Sequence, residues 1–143
     1  MITRQKAMRL GVVLGLAWVV GCGGPGTAPT VKVTGTVTYN GEPVDGVNVG
    51  FIPDGEGARP ASGTTDASGK FSLSTFKSGD GATLGKHTVV ITEPTDSTTT
   101  DDYSLPDESA RRFPAKYENS RTSGLSATVE KGKENDFSFD MTD

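Results

Sequence analysis

From Val31 onward, apolar side chains recur at every second position and nowhere at the three-to-four-residue spacing of a helix. Period two marks a strand with one buried face, because successive side chains point to opposite sides of the chain. Val31, Val33, Val37 and Tyr39 share one face, with Lys32, Thr34, Thr36 and Thr38 on the other. Further rows are Val47-Val49-Phe51, a weak one over residues 61–65, Phe71-Leu73, His87-Val89-Ile91, Leu125-Ala127-Val129 and Phe137-Phe139-Met141. Asn40-Gly41, Asp45-Gly46, Asp66-Ala67-Ser68-Gly69, Gly79-Asp80-Gly81 and Lys131-Gly132-Lys133 punctuate them. These residue types accept positive φ or close turns with a side-chain oxygen. Such rows are buried only by packing sheet on sheet. The expectation is an all-β fold, a seven-stranded antiparallel β-sandwich with Thr- and Ser-rich outer faces and almost no helix after residue 22.

The first 21 residues follow a different rule. Arg4, Lys6 and Arg9 precede an apolar run, Leu10 to Val20, that is too short to span a bilayer and has the length of a secretory-signal core. It ends in Val19-Val20-Gly21-Cys22, followed by Gly23-Gly24-Pro25-Gly26. This resembles the lipobox of bacterial lipoproteins, with Val19 where Leu is commoner. The resemblance implies cleavage before Cys22, acylation of its thiol (palmitate among the acyl groups), and an export route ending in a lipid anchor at the cell envelope, at the outer membrane rather than the inner. One acyl chain holds a protein only marginally, whereas several hold it firmly. Residues 1–21 are then a signal peptide, 22–30 a lipidated Cys and flexible tether, and 31–143 the domain. With the only Cys lipidated, no disulfide can staple the fold.

Composition decides what the rest can do. Without the first 21 residues, 11 basic side chains face 18 acidic ones, which excludes a nucleic-acid partner, whose footprint is a basic patch. Leu, Ile, Val and Phe make up only about 17% of that part, below the roughly 20% that separates folding chains from charged disordered ones. The shortage is uneven. Between residues 94 and 124 only Leu105 and Phe113 belong to this set, and the tether has none. The remaining segments reach about 23% and are apolar enough to fold.

Val33-Thr34-Gly35-Thr36-Val37 through Asn40-Gly41-Glu42-Pro43-Val44, then Val47-Asn48-Val49-Gly50-Phe51, resembles the opening of carboxypeptidase regulatory-like domains. Thr65-Asp66-Ala67-Ser68-Gly69-Lys70-Phe71 matches that family's turn-and-strand motif, and residues 85–91 resemble a later strand, with His87 where an aromatic is usual. The resemblance covers residues 31–93. It implies a Greek-key sandwich of the transthyretin type, and its motifs are structural rather than catalytic.

Searching for chemistry gives little. One His cannot supply the ligand sets of zinc or iron sites. His87 lies on an apolar row, the position of a satisfied core imidazole rather than a base. No nucleophile motif surrounds any Ser. Asp54, Glu56, Asp66 and Asp80 offer oxygen ligands, but their spacing is not that of a calcium loop, and turn-capping explains them. Lys32, Glu93 and Asn135 stand in an order that an internal isopeptide bond would need, yet the parity of Lys32 sends it to water. No cofactor and no metal is expected.

The connection from Pro94 to Gly124 is long enough to be either functional or unstructured. It carries Asp101-Asp102, Asp107-Glu108, Arg111-Arg112, Phe113-Pro114, Lys116-Tyr117 and, further back, Tyr103. Two readings compete: an excursion pinned down by Phe113 and Tyr117, or a contact patch made by Arg111, Arg112, Lys116, Tyr117 and Tyr103. The expected function is that of a non-enzymatic cell-envelope lipoprotein with a structural, adhesive or protein-interaction role. Its partners would be the membrane and envelope proteins or glycans. The alternative is a glycan- or peptide-binding module acting through the 94–124 loop.

Overall fold

The computed structural model describes residues 27–94 and 111–143. Among them the chain forms ten strands: β1 (Thr30–Val31), β2 (Thr34–Tyr39), β3 (Glu42–Pro43), β4 (Asn48–Pro53), β5 (Ala61–Thr64), β6 (Lys70–Ser72), β7 (Ala82–Thr83), β8 (Gly85–Thr92), β9 (Leu125–Val129) and β10 (Asp136–Met141). The only helical element described is a 3-10 turn, Ala115–Glu118. No helix among the described residues is long and apolar enough to cross a membrane.

One sheet places β2 at its centre, with β10 on one side and both β3 and β6 on the other. The second sheet runs β5-β4-β8-β9, and β1 pairs with β7 as a separate clip. The seven longer strands follow the seven apolar rows. Two expectations are corrected. First, there are ten strands rather than seven. The Asn40-Gly41 turn, with φ of 49° and 84°, folds Glu42–Pro43 back onto β2, while the first row breaks after Val31 so that Thr30–Val31 can pair with Ala82–Thr83. Thr30, assigned to the tether, is therefore in a strand. Second, the sheets are not wholly antiparallel, because β10 runs parallel to β2 from Asp136↔Thr34 to Met141↔Tyr39. The physical reason is the turn after β9. It carries the chain from the second sheet across to the first instead of closing a hairpin within one sheet, so β10 starts from the same end as β2.

The two sheets face each other across one core. Phe51 of β4 sends its ring between Phe71, Phe137 and Phe139 of the opposite sheet, at centroid distances of 6.3, 5.9 and 6.0 Å. Gly35 makes this packing possible. A Cβ there would lie 2.5 Å from the Phe71 ring and 2.3 Å from the Phe137 carbonyl. Along one side the sheets are laced together by reciprocal backbone bonds between Ser62 and Ser74, at 3.0 and 2.9 Å.

The registers give the fold two poles. At the N-terminal pole lie β1 and β7, the start of β2 beside Asp136, Pro53 opposite His87, and Gly85 opposite Val129. At the distal pole lie Tyr39 beside Met141 and Asn48 beside both Thr64 and Thr92. The chain arrives at the first pole, and β8 ends at the second, just before Glu93.

Candidate functional site

The best-defined polar constellation is at the distal pole, where the excursion leaves and returns. Glu93 follows β8 and Arg112 closes the loop. The Arg112 guanidinium donates from Nε (3.0 Å) and one terminal nitrogen (2.8 Å) to Glu93 Oε2, a two-pronged pairing with a carboxylate. Its backbone N–H donates to the other carboxylate oxygen at 3.0 Å. The remaining guanidinium nitrogen reaches the Asp45 carbonyl at 2.9 Å and its carboxylate at 3.5 Å. One side chain thus ties together three segments: the end of β8, the β3–β4 connection, and the returning excursion. Burial pushes the Glu93 carboxyl up, but the hydrogen bonds and charge of Arg112, with Arg111 nearby, outweigh it and hold the pKa below the ordinary range.

Beyond the clasp the chain is pinned by packing. Phe113 and Tyr117 are buried. The Tyr117 hydroxyl donates to the Thr142 carbonyl (3.0 Å) and accepts from the Thr142 N–H (2.9 Å), which fastens the segment to the C-terminal strand. Lys116 lies over the Tyr117 ring, 5.0 Å from its centroid, and Arg111 pairs with Glu118. A cleft of about 390 Å³ opens beside the clasp, lined by Tyr39, Arg111, Arg112, Phe113, Pro114, Ala115 and Asp143. Tyr39 donates to the Asp143 carboxylate, and this bond, with some burial, raises the phenol pKa.

Of the residues singled out in the sequence, Arg111, Arg112, Lys116 and Tyr117 come together here, with both arginines facing carboxylates of the same chain. Tyr103 and Cys22 lie outside the described residues. Sequence reasoning missed Glu93 and Asp45 as the partners of Arg112, and Tyr39 and Asp143 as the far wall of the cleft. The one available signal was an acid directly before the excursion and an arginine directly at its return.

Asp66, Asp80, Asp54 and Asn135, also considered for chemistry, have structural roles. Asp66 Oδ1 accepts from the N–H groups of Ser68 (2.8 Å) and Lys70 (3.0 Å). Asp80 accepts from Thr75, Phe76 and Lys77, and these backbone donors, the Thr75 N–H foremost, hold its pKa below the ordinary range. Asp54 accepts from the Thr88 hydroxyl at 3.1 Å. Asn135 is spent on Glu130 and Lys133 within its own turn, and Lys32 is exposed. Among the described residues no group of three His, Cys, Asp or Glu side chains could hold a metal ion. Compared with family models, curated proteins and solved structures, the chain has no match.

His87 is fully buried in the inner row of β8, its ring 5.7 Å from that of Phe51. Nδ1 lies 3.0 Å from the Gly85 carbonyl, which can only accept, so Nδ1 carries the proton and Nε2 accepts from the Thr83 hydroxyl at 3.3 Å. Burial lowers the imidazole pKa, against the smaller opposing effects of the Gly85 carbonyl and the Asp54 charge. The native state therefore binds fewer protons than the unfolded chain. The stability this provides is complete above the unfolded value of about 6.5 and is lost as pH falls from there toward the folded value. Urea midpoints should fall between pH 7.5 and 5.5, and His87→Gln should flatten that dependence at a lower overall stability. An unchanged slope in the variant would remove His87 as its cause.

Proposed function

We infer that this chain is an exported, lipid-anchored, non-enzymatic protein of the bacterial cell envelope. Its domain is a Greek-key sandwich of the transthyretin type, resembling carboxypeptidase regulatory-like domains, with a structural, adhesive or protein-interaction role. The observation that carries this reading is the polarity of the fold. The chain arrives at one pole beside β1, a few residues after Cys22, and the Glu93–Arg112 clasp lies at the other. A domain held to a membrane through its N-terminus directs its distal pole away from that membrane. Burial of Phe113 and Tyr117 supports a rigid structural role over an aromatic platform for glycans, which would need those rings exposed.

Labelling and cross-linking in cells test the two halves separately. Cells fed a clickable fatty acid should label the wild-type chain and not Cys22→Ser, and the mature mass should begin at residue 22 plus its acyl groups. A photoreactive residue at Arg121, exposed at the distal pole, should give a discrete cross-linked species in intact cells. An unlabelled wild-type chain would sink the anchor; no cross-linked species at all would sink the interaction role.

A further inference from the structure

The turn after β2 carries the most labile amide of the chain. Asn40 and Gly41 are both exposed there, with φ of 49° and 84°. Thr38 and Tyr39 pair with Pro43 and Glu42 across them, which makes a two-residue hairpin turn. Asn40 is the only non-glycine residue at positive φ among the described residues. Asparagine tolerates that conformation, but glycine after it exposes the pair to a side reaction. Attack by the Gly41 nitrogen on the Asn40 side-chain carbon closes a five-membered ring, and Gly41 has no Cβ to hinder it. The other three asparagines are followed by Val49, Ser120 and Asp136, whose side chains crowd the same attack.

The fold holds the nucleophile of this pair. The Gly41 N–H donates to Asp140 Oδ1 of β10 at 3.1 Å. The same oxygen accepts from the Thr38 hydroxyl at 2.8 Å, which fixes the carboxylate beside the turn. The Asn40 N–H donates to the Met141 carbonyl at 2.8 Å, so β10 anchors both residues. Ring closure requires the Gly41 nitrogen to lose its proton. A carboxylate at hydrogen-bond distance favours the protonated form, because its charge opposes an amide anion. The bond also keeps the N–H directed at β10.

We propose that Asn40 is a site of spontaneous backbone modification that Asp140 keeps closed in the native fold. When Asp140 lets go, the Gly41 nitrogen gives its proton to solvent and bonds to the Asn40 side-chain carbon. The carbon–nitrogen bond of the side-chain amide breaks, and ammonia leaves with a proton returned from solvent. Water then opens the cyclic imide at either carbonyl, leaving aspartate or isoaspartate at position 40. Neither product reverts to asparagine. Both add a negative charge near Asp140 and Glu42, and isoaspartate also lengthens the main chain by one carbon within a two-residue turn. Like charges on adjoining strands repel, so the modification loosens β3 from β2 and marks the distal pole irreversibly. The inference needs only the turn and β10, and is independent of the lipid anchor.

The test uses the full chain in mild detergent, incubated at mildly alkaline pH with samples drawn over days. Tryptic peptides are scored by mass for conversion at Asn40, and chromatography separates the isoaspartyl form. The wild-type chain should convert slowly in native buffer and fast in urea. Asp140→Ala, still folded by circular dichroism, should convert about tenfold faster than wild type, as expected when a hydrogen bond to a charged acceptor is lost. Asn48 lies in β4 on the same tryptic peptide and reports general opening, so its rate should not change. Equal rates in the folded wild type and Asp140→Ala would overturn the role of Asp140, as would a rise at Asn48 that matches the rise at Asn40. No conversion in urea would remove Asn40 as a site. A wild-type chain that converts as fast in native buffer as in urea would overturn the closure, even if Asp140→Ala did not fold.

Discussion

Phe51→Ala is expected to cost about 3–5 kcal/mol of folding stability, the range for truncating a buried aromatic side chain. The site explains why the upper half of that range applies. Phe51 is fully buried and its ring is enclosed by Phe71, Phe137 and Phe139 from the opposite sheet and by His87 from its own. Those four residues sit on three strands whose registers are fixed by backbone ladders, so they cannot collapse into the space that the ring leaves. Domains of this size hold only about 5–15 kcal/mol in total, and the chain has one Cys and hence no internal disulfide to fall back on. Urea unfolding followed by far-ultraviolet circular dichroism should show a much lower midpoint. Phe51→Leu, which leaves a smaller space unfilled, should lose clearly less than the alanine variant. An alanine variant within about 1 kcal/mol of wild type would mean that the two sheets do not depend on this ring for their packing.

How much of this was legible in the sequence depended on distance along the chain. The inner rows of β4, β8 and β9 were readable because alternation is a property of a few consecutive residues. The Asn40-Gly41 turn and the Asp66 cap were readable for the same reason. His87 was placed correctly by parity alone, since a residue two positions before Val89 in a strand shares its face. The parallel pairing of β10 with β2 was not readable. Thr34 and Asp136 are 102 residues apart, and nothing local to either says which sheet the last strand joins. The short pairs β1–β7 and β2–β3 were missed because a two-residue ladder carries no period. The clasp was hidden for a further reason. With 11 basic and 18 acidic side chains after residue 21, charge type alone cannot choose the partner of Arg112. The fold chooses it, by bringing the end of β8 beside the returning excursion. Tyr117 shows the same limit: an aromatic residue in a segment without periodicity is equally an anchor or a platform until its burial is known.

Breaking the clasp is the second large effect expected. Arg112→Met keeps much of the side chain's length and removes its donors, leaving a Glu93 carboxylate that is three-quarters buried and has lost its ionic partner. Hydrogen bonds to charged groups contribute about 1.5–3 kcal/mol, and partial exposure of Arg112 places the expected loss at about 1–3 kcal/mol. Glu93→Gln should cost less, because an amide can still accept from the guanidinium, and the two changes together should cost clearly less than the sum of each alone. The pH dependence has a definite sign. The folded carboxyl titrates below its unfolded value of about 4.3, so the clasp contributes fully above that pH and is lost as pH falls through the folded value. In Arg112→Met this acid-side loss should shrink, while the separate decline caused by His87 below about pH 6.5 should persist. Amide exchange locates the effect: the Arg112 N–H, now bonded to Glu93 Oε1, should exchange faster in Glu93→Ala, while amides in the centre of β4 should be slowed or quickened only as global stability changes. Additive losses in the double variant would show that Arg112 and Glu93 act independently, and the excursion would then be held by Phe113 and Tyr117 alone.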